Sequence, residues 1–350
     1  MTNFIKYFNR RSIFNPYVIA EIGVNHEGSL KNAKKMINLA SKHGASAVKF
    51  QTYKAETLAS KNSPSYWDLK KESTKSQFLL FKKYDTFDKS DYVKLSNYCK
   101  SKNIDFLSTP FDLEAVDFLD NLVKYFKVAS ADLTNYPLLE RIASKKKPII
   151  LSLGASTITE IKSTISFLEK KGCKDLALLH CILNYPTINK NANLEKINFL
   201  INNFGQYIIG YSDHTMPDDT MSSLVLSSLK GAKIIEKHFT FNKKLKGNDH
   251  YHAMDYLDLK KYRKILRNYE ILNGQSDYDP KKLEKNARLN ARRSIVLKYD
   301  LKKNTVLKKE HLIAKRPGTG ISPKEIMRVV GRKTKKLLKE DHLLTFKDII

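Results

Sequence analysis

Short apolar runs of strand length recur along the chain, and most are followed by a segment with helical spacing. Tyr17-Val18-Ile19-Ala20-Glu21-Ile22-Gly23-Val24-Asn25 is the first. Ser29 is placed to cap a helix over 30–43 that stops at Gly44. Further runs occupy 47–53, 104–111, 125–130, 148–154, 176–181, 207–214 and 232–239. The alternation predicts helices over 91–102, 112–120, 135–144, 159–171, 193–203, 218–230 and 257–271. Eight strand-then-helix repeats over about 255 residues predict a (β/α)8 TIM barrel, an α/β fold, with a doubly wound sheet as the alternative.

One connection breaks the rhythm. Residues 54–88 separate the second strand from its helix and hold Trp67, the chain's single tryptophan, with Tyr66, Phe78 and Phe81. Ordinary connections take a few residues, so extra material at the catalytic end of a barrel predicts a lid or a substrate loop. After the eighth helix, Asn273 to Pro280 is polar and rich in turn formers. From about residue 290 the pattern becomes short strands at 294–297, 305–307, 312–316, 329–331 and 343–345. The reading is a barrel over 1–275, a linker over 276–290 and a small second domain over 291–350.

Composition narrows the classes. The 350 residues are 41% hydrophobic, ample for a core, and no run approaches the roughly 20 apolar residues of a membrane span. The N-terminus has no apolar signal region, and Cys99, Cys173 and Cys181 show no CxxC spacing. A cytoplasmic protein with reduced thiols, without membrane partners, is expected. The formal charge of +27 raises nucleic acid as a partner, most of all for 281–350, with 21 Lys/Arg against 7 Asp/Glu. Lysines spread along the chain without a recognition motif argue for a basic background and no nucleic acid. Such a background still draws anionic substrates.

The candidate chemistry lies at the strand ends. The seventh and eighth runs each deliver a histidine, His214 and His238, across a strand–helix–strand unit that makes the strands parallel neighbours. Two imidazoles there can share one divalent metal. The other strand ends bring Glu21, Lys49, Gln51, Ser108, Thr109, Lys127, Ser130, Ser152, Asp213 and Glu236 toward one pocket. Barrel interiors are normally apolar, so this polar set implies a charged ligand. Lysines with hydroxyls suit a phosphorylated carboxylic acid, a metal polarises an aldehyde, and Glu21 can relay protons. A metal-free Schiff-base aldolase using Lys49 or Lys127 is the rival, although it leaves both histidines without a task.

The segments Ala20-Glu21-Ile22-Gly23-Val24-Asn25-His26-Glu27-Gly28, Val48-Lys49-Phe50-Gln51-Thr52 and Ser108-Thr109-Pro110-Phe111 resemble the sialic acid (nonulosonic acid) synthase family. So do Gly210-Tyr211-Ser212-Asp213-His214-Thr215, Ile235-Glu236-Lys237-His238-Phe239-Thr240 and Lys315-Arg316-Pro317-Gly318-Thr319-Gly320-Ile321. The resemblance runs in order from about residue 17 to 348. It implies a barrel followed by an antifreeze-like (SAF) domain that closes over the active site in a domain-swapped homodimer.

The implied reaction condenses phosphoenolpyruvate with an N-acylated hexosamine, with C–O cleavage and a divalent cation, usually manganese, with magnesium or cobalt as alternatives. By the same resemblance His214 and His238 hold the metal. Lys49, Thr109, Lys127, Ser130, Ser152, Asn184 and Tyr185 hold phosphoenolpyruvate. Glu21 sits at the reacting centre with Asp132 near the aldehyde. Gln51, Asp249 and Arg316 meet the sugar, Arg316 at its N-acyl group. Several motifs depart from the family pattern. Ser130-Ala131-Asp132 stands where Ser-Gly-Glu is common, Ser152-Leu153-Gly154 where Ser-Thr-Gly is, and Gly247-Asn248-Asp249-His250 where Gly-Pro-Asp-His is. These changes lie near the acceptor. They leave open N-acetylmannosamine or a 6-deoxy-diacetamido hexose, while Glu21-Ile22-Gly23 and Lys315-Arg316-Pro317-Gly318 lean away from the pseudaminic branch.

Overall fold

A computed structural model describes residues 2–247, 249–276, 279 and 282–350, so Asn248 and much of the turn-rich linker lie outside the described residues. The chain divides into two compact units, Met1–Gly274 and Gln275–Ile350.

The first unit opens with helix α1 (Asn3–Asn9), then β1 (Tyr17–Gly23), α2 (Leu30–Lys42) and β2 (Ala47–Thr52). Two short helices, α3 (Ala55–Leu58) and α4 (Gln77–Tyr84), fill the long connection before α5 (Lys89–Ser101). There follow β3 (Asp105–Pro110), α6 (Leu113–Leu119), β4 (Phe126–Val128), α7 (Tyr136–Ser144), β5 (Ile149–Ser152) and α8 (Ile158–Lys170). The unit ends with β6 (Leu176–Cys181), α9 (Glu195–Phe204), β7 (Ile208–Asp213), α10 (Ser222–Leu229), β8 (Ile234–His238) and α11 (Tyr256–Asn273). The eight strands run parallel in the order β3-β2-β1-β8-β7-β6-β5-β4, and β3 lies against β4 to close the (β/α)8 barrel. The doubly wound alternative is thereby set aside.

Local chemistry accounts for these elements. The Ser29 hydroxyl accepts from the Asn32 amide at the start of α2, whose buried residues Ala33, Met36, Ile37 and Ala40 follow helical spacing. Asp255 and Asp258 form a reciprocal capping box on α11. Gly210, inside β7, is a packing requirement. A Cβ there would fall 2.4 Å from the Leu179 side chain and 2.6 Å from the Ile234 carbonyl oxygen.

The barrel interior is divided along its axis. Its N-terminal half is apolar, formed by Tyr17, Ile19, Ala47, Leu107, Ile150, Ala177, Leu179, Ile208 and Ile234. Helix α1, which the hydrophobic pattern did not predict, packs Phe4, Ile5 and Phe8 onto this layer. Phe8 lies 5.3 Å from Tyr17 between ring centroids. Burial of such side chains contributes about 1.5–3 kcal/mol each. A larger core lies between the strands and the surrounding helices. The polar side chains of the candidate site gather at the C-terminal ends of the strands.

The second unit holds helix α12 (Lys285–Ala291), strands β9 (Ser294–Leu297) and β10 (Leu312–Lys315), and α13 (Ile326–Val329). β9 and β10 pair antiparallel, Leu312 opposite Leu297. Its core comprises Ile295, Leu297, Leu301, Leu307, Leu312, Ile321, Val329, Leu338, Leu344 and Ile349. The predicted strands at 305–307 and 343–345 are reduced to isolated bridges, Val306 with Lys333 and Leu343 with Val296. Val329 closes a helical turn instead of starting a strand. In a unit this small, side-chain burial and turns decide more than ladder length.

Candidate active site

Strand register assembles the site. Glu21 on β1 lies opposite Lys49 on β2 and opposite His238 on β8, so three functional side chains share one layer. Period-two alternation then aims Gln51, Lys127, Ser152, Cys181, Ser212, His214 and Glu236 into the same cup. These residues line a cavity of about 520 Å³ at the C-terminal end of the strands.

One side of the cavity is cationic. Lys49 Nζ is 2.5 Å from Glu21 Oε2 and donates to Thr109 Oγ1 at 3.1 Å. Lys127 Nζ donates to Ser152 Oγ at 2.7 Å and to the Val128 carbonyl at 3.0 Å. It also stands 3.6 Å from Glu236 Oε1. Burial alone disfavours both ammonium groups. For Lys49 the carboxylates of Glu21 and Glu236 outweigh it and raise the pKa, whereas for Lys127 burial wins and lowers it. Ser130 Oγ accepts from the Gly154 amide at 2.9 Å, which fixes that hydroxyl at the rim.

Two carboxylates face these lysines. Burial pushes Glu21 up to about 7 against the pull of Lys49, while Gln51 Nε2 donates to its Oε1 at 3.1 Å. Burial also raises Glu236, but Lys127 and Lys49 together pull it below its ordinary value. Its Oε1 accepts from Ser212 Oγ at 3.0 Å, and its Oε2 is buried without a hydrogen bond. Asp132 lines the cavity too, raised by burial, with its Oδ1 accepting from Asn135 Nδ2 at 3.0 Å.

The opposite side is rich in imidazole. His214 and His238 have ring centroids 5.4 Å apart. Two imidazoles bound to one ion at about 2.1 Å bring their centroids to within about 5.5 Å, so the pair fits a shared metal. His214 Nδ1 donates to the Ile182 carbonyl at 2.8 Å, leaving Nε2 as the lone-pair nitrogen. Burial pulls His214 down to about 4 and His238 well below its ordinary value, which keeps both rings neutral and able to bind a cation. His238 Nδ1 is buried without a hydrogen bond, 3.4 Å from Asp249 Oδ2. This donor set fits a divalent ion.

Of the residues singled out in the sequence, Glu21, Lys49, Gln51, Thr109, Lys127, Ser130, Asp132, Ser152, Tyr185, His214, His238 and Asp249 all line the cavity. Asn184 does not. It is exposed between two lining residues, Leu183 and Tyr185, in a tight turn where its amide donates to the Ile182 carbonyl at 2.9 Å. Arg316 is exposed on the second unit. There, Ser294 Oγ donates to the Pro317 carbonyl and accepts from the Gly320 amide, tethering the loop that carries it.

The 54–88 segment, expected as a lid or substrate loop, contributes the wall residues. Leu58, Tyr66, Trp67, Leu80, Phe81 and Tyr84 from the 54–88 segment close one side of the cavity. Trp67 Nε1 donates to the carbonyls of Glu72 and Thr74, and Glu72 accepts from Thr74 and from Lys83 Nζ. The lone tryptophan was the signal for this wall. Ser212 and Cys181, which line the cavity with them, share the inward period of the histidines, a signal that strand alternation already contained.

A β/α barrel with two buried lysines facing paired imidazoles at its C-terminal mouth defines an enzyme built for an anionic substrate. The chain belongs to the NeuB family: that family's model matches residues 36–278, and the SAF domain model matches residues 292–350. It is 39% identical to the N,N'-diacetyllegionaminic acid synthase of Legionella pneumophila, over 92% of this chain and 91% of that protein. The N,N'-diacetyllegionaminic acid synthase of Campylobacter jejuni is 38% identical, over 93% of this chain and 98% of its own. Among solved structures, the N-acetylneuraminic acid synthetase of Leptospira borgpetersenii, in complex with citrate, superposes with a TM-score of 0.67. It shares 32% identity and covers 78% of this chain and 90% of its own. The chain is thus a nonulosonic acid synthase-type enzyme, which answers the choice left open against an unrelated aldolase or a nucleic-acid-binding protein.

Proposed function

We propose that the enzyme condenses phosphoenolpyruvate with an N-acylated hexosamine and water to give a nine-carbon 2-keto sugar acid and inorganic phosphate. The observation that carries this reading is the two-sided cavity, with Lys49 and Lys127 among hydroxyls on one side and His214 with His238 on the other. Lys49, Lys127, Thr109, Ser130, Ser152 and Tyr185 bind the carboxylate and phosphate of phosphoenolpyruvate by charge-assisted hydrogen bonds. His214 and His238 would hold a divalent ion, which when bound would supply Lewis-acid polarisation of a carbonyl oxygen and activation of water.

The enol C3 forms the new bond to the aldehyde carbon, and the aldehyde oxygen takes a proton. Glu21, held near neutrality by burial, is suited to move a proton there. Water adds at C2, and the tetrahedral centre expels phosphate by breaking its C2–O bond. Both lysines balance the departing charge. Gln51 and Asp249 orient the sugar, with Asp132 beside the aldehyde.

For the acceptor, a 6-deoxy-diacetamido hexose is the better fit. The wall of Leu58, Leu80, Phe81 and Trp67 offers apolar surface to a C6 methyl and to acetamido methyls. Similarity to two N,N'-diacetyllegionaminic acid synthases supports the same choice. A phosphate-release assay with phosphoenolpyruvate, Mn2+ and a panel of three N-acyl hexosamines tests the reading. Release that depends on one hexosamine and stops with EDTA is expected. Full release after chelation, or none with any of the three, overturns it.

A further inference from the structure

A third imidazole stands beside the pair. His252 is fully buried, with its ring centroid 5.0 Å from that of His238 and 5.7 Å from that of Tyr185. Unlike the other two it comes from no strand end, but from the segment joining β8 to α11. Among the described residues, His238, Asp249 and His252 form a group whose ligand atoms all lie within 4.8 Å of one another. Ligands of one ion at about 2.1 Å lie roughly 3–4 Å apart, so small side-chain adjustments bring all three to one centre.

The segment that carries Asp249 and His252 is held in place. Met254 bridges to Phe239 as an added parallel strand residue, its amide donating to the His238 carbonyl at 2.8 Å. The Thr240 amide returns a bond to the Met254 carbonyl at 3.0 Å. Asn25 Nδ2, buried, donates to the carbonyls of Phe239 and Asp249 at 3.0 and 3.3 Å. Thr240 Oγ1 and His250 Nδ1 lie 2.9 Å apart. These ties set His252 against His238, whose own Nδ1 is buried without a hydrogen bond.

We infer that His252 is a further protein ligand of the divalent ion, joining His238 and the Asp249 carboxylate in an imidazole-rich donor set. The inference rests on the assignment of that ion to His238 made above. Its chemical consequence is selectivity. Imidazole nitrogens favour later first-row transition ions such as Co2+ or Zn2+, whereas Mg2+ prefers oxygen ligands. The site is therefore built to retain a transition ion in the presence of excess Mg2+.

Titration of the metal-free full-length enzyme with Co2+, followed by its visible absorption bands, tests this. His252→Phe keeps an aromatic ring against Tyr185 and Tyr251, and His252→Gln serves should the first variant fail to fold. At least about tenfold weaker Co2+ binding and altered bands are expected, with Mg2+ competing better than against the native enzyme. His238→Ala is the reference and should lose Co2+ altogether. Unchanged affinity and bands in the His252 variants, with loss in His238→Ala, overturn this inference alone. Unchanged binding in His238→Ala overturns the metal assignment as well, and this inference falls with it.

Discussion

Asp213 on β7 and Lys237 on β8 pair at 2.5 Å on the helix-facing side of the barrel, at 0% and 1% exposure. Each immediately precedes a histidine of the site. The carboxylate also accepts from the Tyr211 hydroxyl, the Thr215 amide and hydroxyl, and the Ser223 hydroxyl. Lys237 donates in addition to the Thr215 carbonyl at 2.7 Å. Burial raises the Asp213 carboxyl, but Lys237 and these donors outweigh it and hold it below the usual range. The pair clamps the ends of two adjacent strands, so the spacing of His214 and His238 depends on it.

Lys237→Met leaves a buried carboxylate without its cation and should cost about 3–5 kcal/mol. The double variant Asp213→Asn with Lys237→Met should recover part of that loss, because no uncompensated charge remains. Urea denaturation measures both. A single-variant cost below about 1 kcal/mol would show that the clamp contributes little.

Glu21 makes stability depend on pH in a defined direction. Its folded-state pKa of about 7 lies above the ordinary carboxylate value. Its contribution is then complete below that ordinary value and is lost as pH rises through about 7. Glu21→Gln cannot ionise, so native minus variant stability should fall by a few kcal/mol between pH 5 and pH 8. Denaturation at both pH values checks it, and a flat difference would place Glu21 in a more polar setting.

Ser152→Ala removes the hydroxyl that accepts from Lys127 Nζ. A hydrogen bond to a charged group contributes about 1.5–3 kcal/mol. The Michaelis constant for phosphoenolpyruvate should therefore rise about 10- to 100-fold, with a smaller change for the sugar. Lys127→Ala should act in the same direction and more strongly. Steady-state kinetics with each substrate varied in turn would reveal a uniform effect if the assignment to phosphoenolpyruvate were mistaken.

Trp67→Ala opens the wall contributed by the 54–88 segment and removes the donor that holds the Glu72 and Thr74 carbonyls. The Michaelis constant for the sugar should rise at least about tenfold, the equivalent of roughly 1.4 kcal/mol, while Co2+ binding stays as in the native enzyme. Equal loss of affinity for both substrates would make the segment a general cover over the cavity.

The alternation of apolar runs was enough to read the eight-stranded barrel, because strand and helix periods are local properties of the chain. The strand ends also marked Lys49, Lys127, Glu21, His214 and His238 as pocket residues, but they marked Asp213 as well, which the pleat of the strand turns toward the helices. Helix α1 was not legible: Phe4, Ile5 and Phe8 make sense as a cluster only against Tyr17 and Ile19, a surface that exists once the barrel closes. The exposure of Asn184, the wall from 54–88 and the approach of His252 to His238 depend likewise on how connections fold back over the strand ends. Chain composition dictated which side chains stood at the rim of the cup, whereas closure of the sheet decided which of them meet. Distances between residues far apart in sequence are set by packing and cross-strand hydrogen bonds, which no single segment carries alone.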